Sequence, residues 1–178
     1  MAQLRIPVVS VVGKGKSGRT TLLEALIAML TERGYRVATA KHHFHETGID
    51  TPGKDSWRHW NAGAVVTMVS APDRLGVFRR VEEERTLAEL AEEAGDVDIM
   101  LTEGFRQTSP VLIEVVRAES STGPICAPDE LFALVTDVEE LRALPVHTFA
   151  LDDAAALADF IEERFLGGAA SRSEGGEV

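Results

Sequence analysis

Short apolar runs separated by polar, glycine-marked breaks set the order of elements along this chain. Ile6 to Val12 is a continuous apolar-rich run and predicts a buried strand. From about Gly18 to Arg33 the apolar positions Leu22, Leu23, Leu26, Ile27 and Leu30 recur at helical spacing, and Gly34 supplies the stop. YRVATAKH then reads as a second strand. Strand, glycine loop, helix and strand in that order open a parallel α/β sheet.

The pattern changes after His42. HFHETGIDTPGKDS is polar and too long for an ordinary strand–helix connection. WRHWNAG predicts a short helix stopped by Gly63, and AVVTMVS and LGVFRR predict two strands hinged at Pro72-Asp73, a β-hairpin. Thr86 and Glu89 form a capping box for a helix ending at Gly95. VDIMLTEG, PVLIEVVR, LFALVT and VHTFAL predict four more strands. A closing helix from near Asp152 carries Leu157, Phe160, Ile161 and Phe165 on its apolar side. Residues 167–178 have no apolar face and predict a disordered tail. With no repeat and no internal linker, residues 1–166 are expected to form one domain.

Composition narrows the function classes. The 178 residues are 44% hydrophobic and 26% charged, with a formal net charge of −11. That charge argues against general nucleic-acid binding. No apolar run reaches the roughly 18 residues of a membrane span, and the N-terminus lacks a secretory apolar core. Cys126 is the single cysteine and cannot form an internal disulfide. A cytoplasmic location is expected. Lys14, Lys16, Arg19, Lys41 and Lys54 all fall in the first third of the chain, an asymmetry suited to a local anionic ligand.

GKGKSGRTT, Gly13 to Thr21, lies between the first strand and the first helix. It fits the phosphate-binding pattern G-x-x-x-x-G-K-[ST] at Gly13, Gly18 and Thr20, with Arg19 where the pattern has lysine. Gly13, Gly15 and Gly18 allow positive φ and close backbone approach. The N–H groups along Lys14, Lys16 and Ser17 would turn inward as an anion nest at the positive end of the helix. The nucleotide-binding set is therefore Gly13, Lys14, Gly15, Lys16, Ser17, Gly18, Arg19, Thr20 and Thr21, and the Thr20 hydroxyl is a candidate magnesium ligand. Arginine keeps lysine's charge but is longer, planar and forked, so binding should persist and turnover weaken. Lys14, directly after the first glycine, resembles the variant loop of a class of dimerising NTPases, where it reaches phosphate across a dimer interface; the alternative is a solvated loop lysine.

Beyond the loop, KHHFH, PGKDSWRHWNAGA and DIMLTEGFR resemble, in order and spacing, the MobB family, molybdopterin-guanine dinucleotide biosynthesis protein B. The resemblance runs from about Val8 to Val116, with Leu131 to Asp137 matching less distinctly. It implies an α/β P-loop NTPase fold, mainly parallel sheet flanked by helices with a hairpin. It also implies a homodimer that binds GTP with Mg2+ and assists attachment of GMP to molybdopterin beside a separate molybdopterin nucleotidyltransferase. Molybdopterin itself is a further candidate ligand. Carried over, Asp55 is a candidate for magnesium or its water shell. Glu103 stands at a strand's C-terminal end, where it would hold magnesium or orient water. Lys14, Arg19 and Glu103 become the candidate catalytic groups of an at most slow GTP hydrolysis. Asp98, earlier on that strand, reads as structural. The guanine-reading N-K-x-D is absent; Asp137 either accepts from guanine or caps the helix VEELRAL.

Lys41, His42, His43 and His45 form a basic cluster on the long polar loop. Contact with an anionic cofactor or partner, plain loop surface and a metal site are its open readings. They leave two alternative functions, a non-catalytic nucleotide- or cofactor-binding adaptor and a metal-delivery NTPase using His42 to His45. Trp57 and Trp60, three apart, are expected to pack in the core or a dimer rather than stack on a base.

Overall fold

The computed structural model describes residues 4–42, 50–121 and 123–167. The chain forms two compact units, one of Met1–His42 with Thr86–Val178 and one of His43–Arg85.

The first unit is a six-stranded, wholly parallel sheet. Its strands are β1 (Val8–Val12), β2 (Val37–Lys41), β5 (Ile99–Glu103), β6 (Leu112–Val116), β7 (Leu131–Thr136) and β8 (His147–Phe149), in spatial order β2-β5-β1-β6-β7-β8. Strands β1, β5 and β6 are buried at every position, as central strands covered on both faces must be. One face carries α1 (Arg19–Glu32) and α4 (Ala154–Ile161), which close over Val9, Val11, Leu101, Ile113 and Val135 with Leu26, Leu30, Leu157 and Ile161. The other face carries α3 (Leu87–Glu93), whose Leu87 and Ala91 pack on Val8 and Met100. Inside the sheet the Ser10 and Thr102 hydroxyls bond each other at 2.5 Å, which satisfies both buried groups.

The predicted local devices are present. Thr86 and Glu89 make both bonds of the capping box, and Gly34 and Gly95 stand at positive φ past the ends of their helices. Asp98 is structural, accepting the Arg36 N–H at 2.8 Å where β2 begins. Two details differ from the sequence reading. VEELRAL forms only a 3₁₀ turn, Glu139–Ala143, which Asp137 does not cap. The closing helix starts at Ala154, capped by Asp153, and widens into a π turn over Glu162–Leu166. Phe160 stacks on Phe132 and Phe165 tilts against it, and both pack against the main core, as the sequence predicts.

The second unit holds α2 (Asp55–Asn61) and the hairpin β3 (Val66–Ala71) with β4 (Arg74–Arg79). Arg80 donates to the Trp60 and Ala64 carbonyls and lies 4.2 Å over the Trp60 ring. Across the hairpin, Met68 opposes Val77 and Ser70 opposes Leu75 on one face, and Thr67 opposes Phe78 on the other. Thr67 is buried, whereas Met68 is 61%, Leu75 63% and Val77 45% exposed. Residues 43–49, with His43 and His45, lie outside the described residues, as does the expected tail beyond Gly167. No described helix is long and apolar enough to cross a membrane.

Candidate functional site

Parallel strands bring their C-terminal ends to one edge, and the strand order reverses beside β1, between the β5 and β6 sides. In open α/β sheets that crevice is where ligands bind. The glycine loop leaves β1 there. Gly13 has φ +144°, and a Cβ on it would sit 2.4 Å from the Val115 carbonyl oxygen, so only glycine fits. Lys16 also turns through positive φ, at 64°, and Gly18 enters α1 in the left-handed region. Backbone alternation of this kind is what turns successive amides into an anion-binding nest at a helix N-terminus. Ser17 is 1% exposed, and among the described residues its Oγ has no hydrogen-bond partner. A buried hydroxyl of that kind is rare in folded proteins.

Glu103 organises the side chains. It ends β5 at 9% exposure. The Thr20 hydroxyl donates to its Oε2 at 3.0 Å, Lys41 Nζ stands 3.3 Å from the same oxygen, and an Arg19 terminal nitrogen stands 3.7 Å from Oε1. Thr20 and Glu103 thus meet beside the glycine loop. Arg19 points at this carboxylate, and Lys41 belongs to the same group through its register opposite Glu103. Thr20 and Glu103 offer hard oxygens, a donor type that suits magnesium.

Lys14 is exposed and donates to Ser121 Oγ at 2.7 Å, which places it on the rim beside the 117–126 segment. Gly15 and Thr21 are exposed or half-open parts of the same turn. Asp137 directly follows β7 at this edge, and its Oδ1 accepts the Ala118 N–H at 2.7 Å. It therefore pins the β6 exit and caps no helix, contrary to one of its two readings. The His42 ring stacks on Phe105 at 4.9 Å, and its backbone N–H donates to the Glu103 carbonyl at 2.9 Å. Asp55 opens α2 in the second unit, largely exposed, 3.7 Å from Arg58.

Two residues that sequence reasoning passed over also matter. Arg117 follows β6, with a terminal nitrogen 3.3 Å from where a Gly18 Cβ would lie. Glu114, 1% exposed in β6, accepts the Ile125 and Cys126 N–H groups at 2.6 and 3.0 Å, holding the 117–126 segment down. A lone carboxylate in the apolar run VLIEVV was its signal; Arg117 gave none, because only the strand order brings β6 beside the loop. Burial, with Glu114 alongside, pushes the Cys126 thiol up to about 11 against the pull of Arg106, so it stays protonated at neutral pH.

A glycine loop between the first strand and helix of a parallel sheet, with an acidic residue on the neighbouring strand end, defines a P-loop-type α/β protein. Comparison with known proteins is more specific. The sequence profile of the MobB family, molybdopterin guanine dinucleotide synthesis protein B, matches residues 8–137. The molybdopterin-guanine dinucleotide biosynthesis adapter protein of Escherichia coli is 32% identical over 164 residues, covering 89% of this chain and 93% of that one. Its Haemophilus influenzae counterpart is 32% identical over 163 residues, with 89% of each chain covered. The crystal structure of Bacillus subtilis MobB superposes with a TM-score of 0.72 at 26% identity, over 90% of this chain and 98% of that one. The chain belongs to the MobB family.

Proposed function

We propose that this protein is a nucleotide-binding adapter that takes GTP with magnesium at the glycine loop and assists the attachment of GMP to molybdopterin beside a separate nucleotidyltransferase. The family places it among adapters of molybdopterin-guanine dinucleotide biosynthesis. The observation that carries the nucleotide reading is the meeting of Thr20 and Glu103, 3.0 Å apart, beside an inward-facing loop that buries the Ser17 hydroxyl. In this reading the loop amides and Ser17 hold phosphate oxygens, and Thr20 and Glu103 hold magnesium. Bound magnesium would neutralise charge on the phosphates. Guanine over adenine is supported by the guanine dinucleotide in the family's name.

Turnover is slow in this reading. Glu103, the group placed to orient water, faces the charges of both Arg19 and Lys41. The Arg19 contact equally favours a second reading, a phosphate clamp with no hydrolysis. Assembly follows from the hairpin: Met68, Leu75 and Val77 make an exposed apolar face of the kind that marks an interaction surface, and a second copy is the proposed occupant. The site belongs to a cytoplasmic protein in this account.

Calorimetric titration of GTP and of ATP, each with magnesium, tests the reading. Preferential GTP binding is expected, and single-turnover hydrolysis on the same sample separates slow enzyme from clamp. Binding of neither nucleotide would overturn it.

A further inference from the structure

Among the cations around the loop, Lys14 is engaged by Ser121 and both Arg19 and Lys41 by Glu103. Arg117 is not so engaged. Its Nε is buried and, among the described residues, has no hydrogen-bond partner. A buried guanidinium nitrogen without an acceptor is costly, and arginine's forked donors match phosphate oxygens. The side chain lies against the first turn of the 14-residue helix α1, with a terminal nitrogen 3.3 Å from the position a Gly18 Cβ would take. Any residue larger than glycine at 18 would press on it. Ser17, whose buried hydroxyl is unpartnered among the described residues, lines the same cavity as Gly18 and Arg117.

A cavity of about 200 Å³ opens here, lined by Ser17, Gly18, Thr21, Arg117, Leu151 and Asp152 among others. It is continuous with the glycine loop and floored by apolar residues from β6, β7 and α1, a composition suited to a ligand with one charged and one flat end.

We propose that Arg117 is a nucleotide-contacting residue, donating to the phosphate chain at the N-terminus of α1 and supplying there the charge that Arg19 directs to Glu103. This rests on the nucleotide reading above and adds a residue from β6 to the site. Arg117 acts on phosphate, so its contribution tracks phosphate count and charge rather than the base.

The test is titration of the full chain and of Arg117→Gln and Arg117→Lys with Mg-GTP, guanosine and inorganic tripolyphosphate. Arg117→Gln should weaken Mg-GTP and tripolyphosphate at least tenfold and leave guanosine within twofold. Arg117→Lys should recover part of the loss. A thermal midpoint like that of the native chain excludes a folding defect; if Arg117→Gln does not fold, Arg117→Met, which keeps the aliphatic stem, carries the same expectation. Arg117→Gln binding Mg-GTP as the native chain does, or losing guanosine as much as GTP, would overturn the proposal. A native chain that binds tripolyphosphate through Arg117 but no GTP overturns the nucleotide reading and leaves the Arg117 contact standing. A native chain that binds neither overturns both.

Discussion

β1 and β3 are both short and rich in valine, yet β1 is buried at all five positions while β3 exposes four of its six. The difference lies in their neighbours. β1 runs between β5 and β6 with helices on both faces, so its own chain covers every side chain. β3 pairs only with β4, and a two-stranded sheet covers at most one face. Apolar sequence therefore has two outcomes here: around the loop it builds a buried frame, and in the hairpin it leaves an exposed face, the one proposed for a second copy.

Breaking the frame should have the largest effect. Gly13→Ala forces a Cβ against the Val115 carbonyl and costs about 3 kcal/mol, a size typical of steric strain at a special backbone position. Denaturant unfolding would record that loss, and Mg-GTP binding should disappear with it. The hairpin should answer oppositely. Met68→Lys combined with Leu75→Lys should convert a homodimer to monomer in sedimentation while shifting monomer stability by less than about 1 kcal/mol, since both side chains already face solvent. Aggregation or lost folding in that variant would show that the face is covered within the chain, and the contrast with β1 would fail.

Arg19→Lys sharpens the picture at the loop. A shorter, compact cation should pull away from Glu103 and raise single-turnover GTP hydrolysis several-fold, with GTP affinity little changed. An unchanged rate would place the limit on turnover elsewhere. The smallest effect belongs to the clamp between α1 and α4. The Tyr35 hydroxyl first, and then Arg33, hold the Glu162 carboxyl below its ordinary value of 4.5. A depressed carboxyl stabilises the fold at neutral pH and loses that contribution as pH falls below 4.5. Glu162→Gln should thus lower the melting temperature at pH 7 by on the order of 2 °C, and the gap should close as pH falls through the depressed carboxyl value. A pH-independent gap would mean the contact acts through packing alone.

What could be foreseen divides along the same line. The β1–loop–α1 unit was legible because burial period, glycines and helix start all lie within one short stretch. The hairpin was legible from its alternation and turn residues, and the capping box from Thr86 and Glu89 alone. Asp137 was not, since its fate depends on the Ala118 amide, which β6 delivers from 19 residues away. Arg117 was missed for a like reason: nothing local to VVRAES says that β6 lies beside β1. Lys41 was placed with the histidines by sequence proximity, whereas parallel register sets it opposite Glu103.

The bond from Lys14 to Ser121 has a practical sequel. Ser121 also exchanges bonds with Gly123, a few residues before the only thiol in the chain. A ligand that draws the Lys14 ammonium away releases one tether of that segment, while Glu114 keeps the other. Cys126 would then serve as a built-in reporter: buried while Glu114 holds its amide, it would react with a thiol reagent only as fast as the segment opens. Comparing that rate before and after nucleotide is added would time the motion of the rim without a dye, a label or a second mutation.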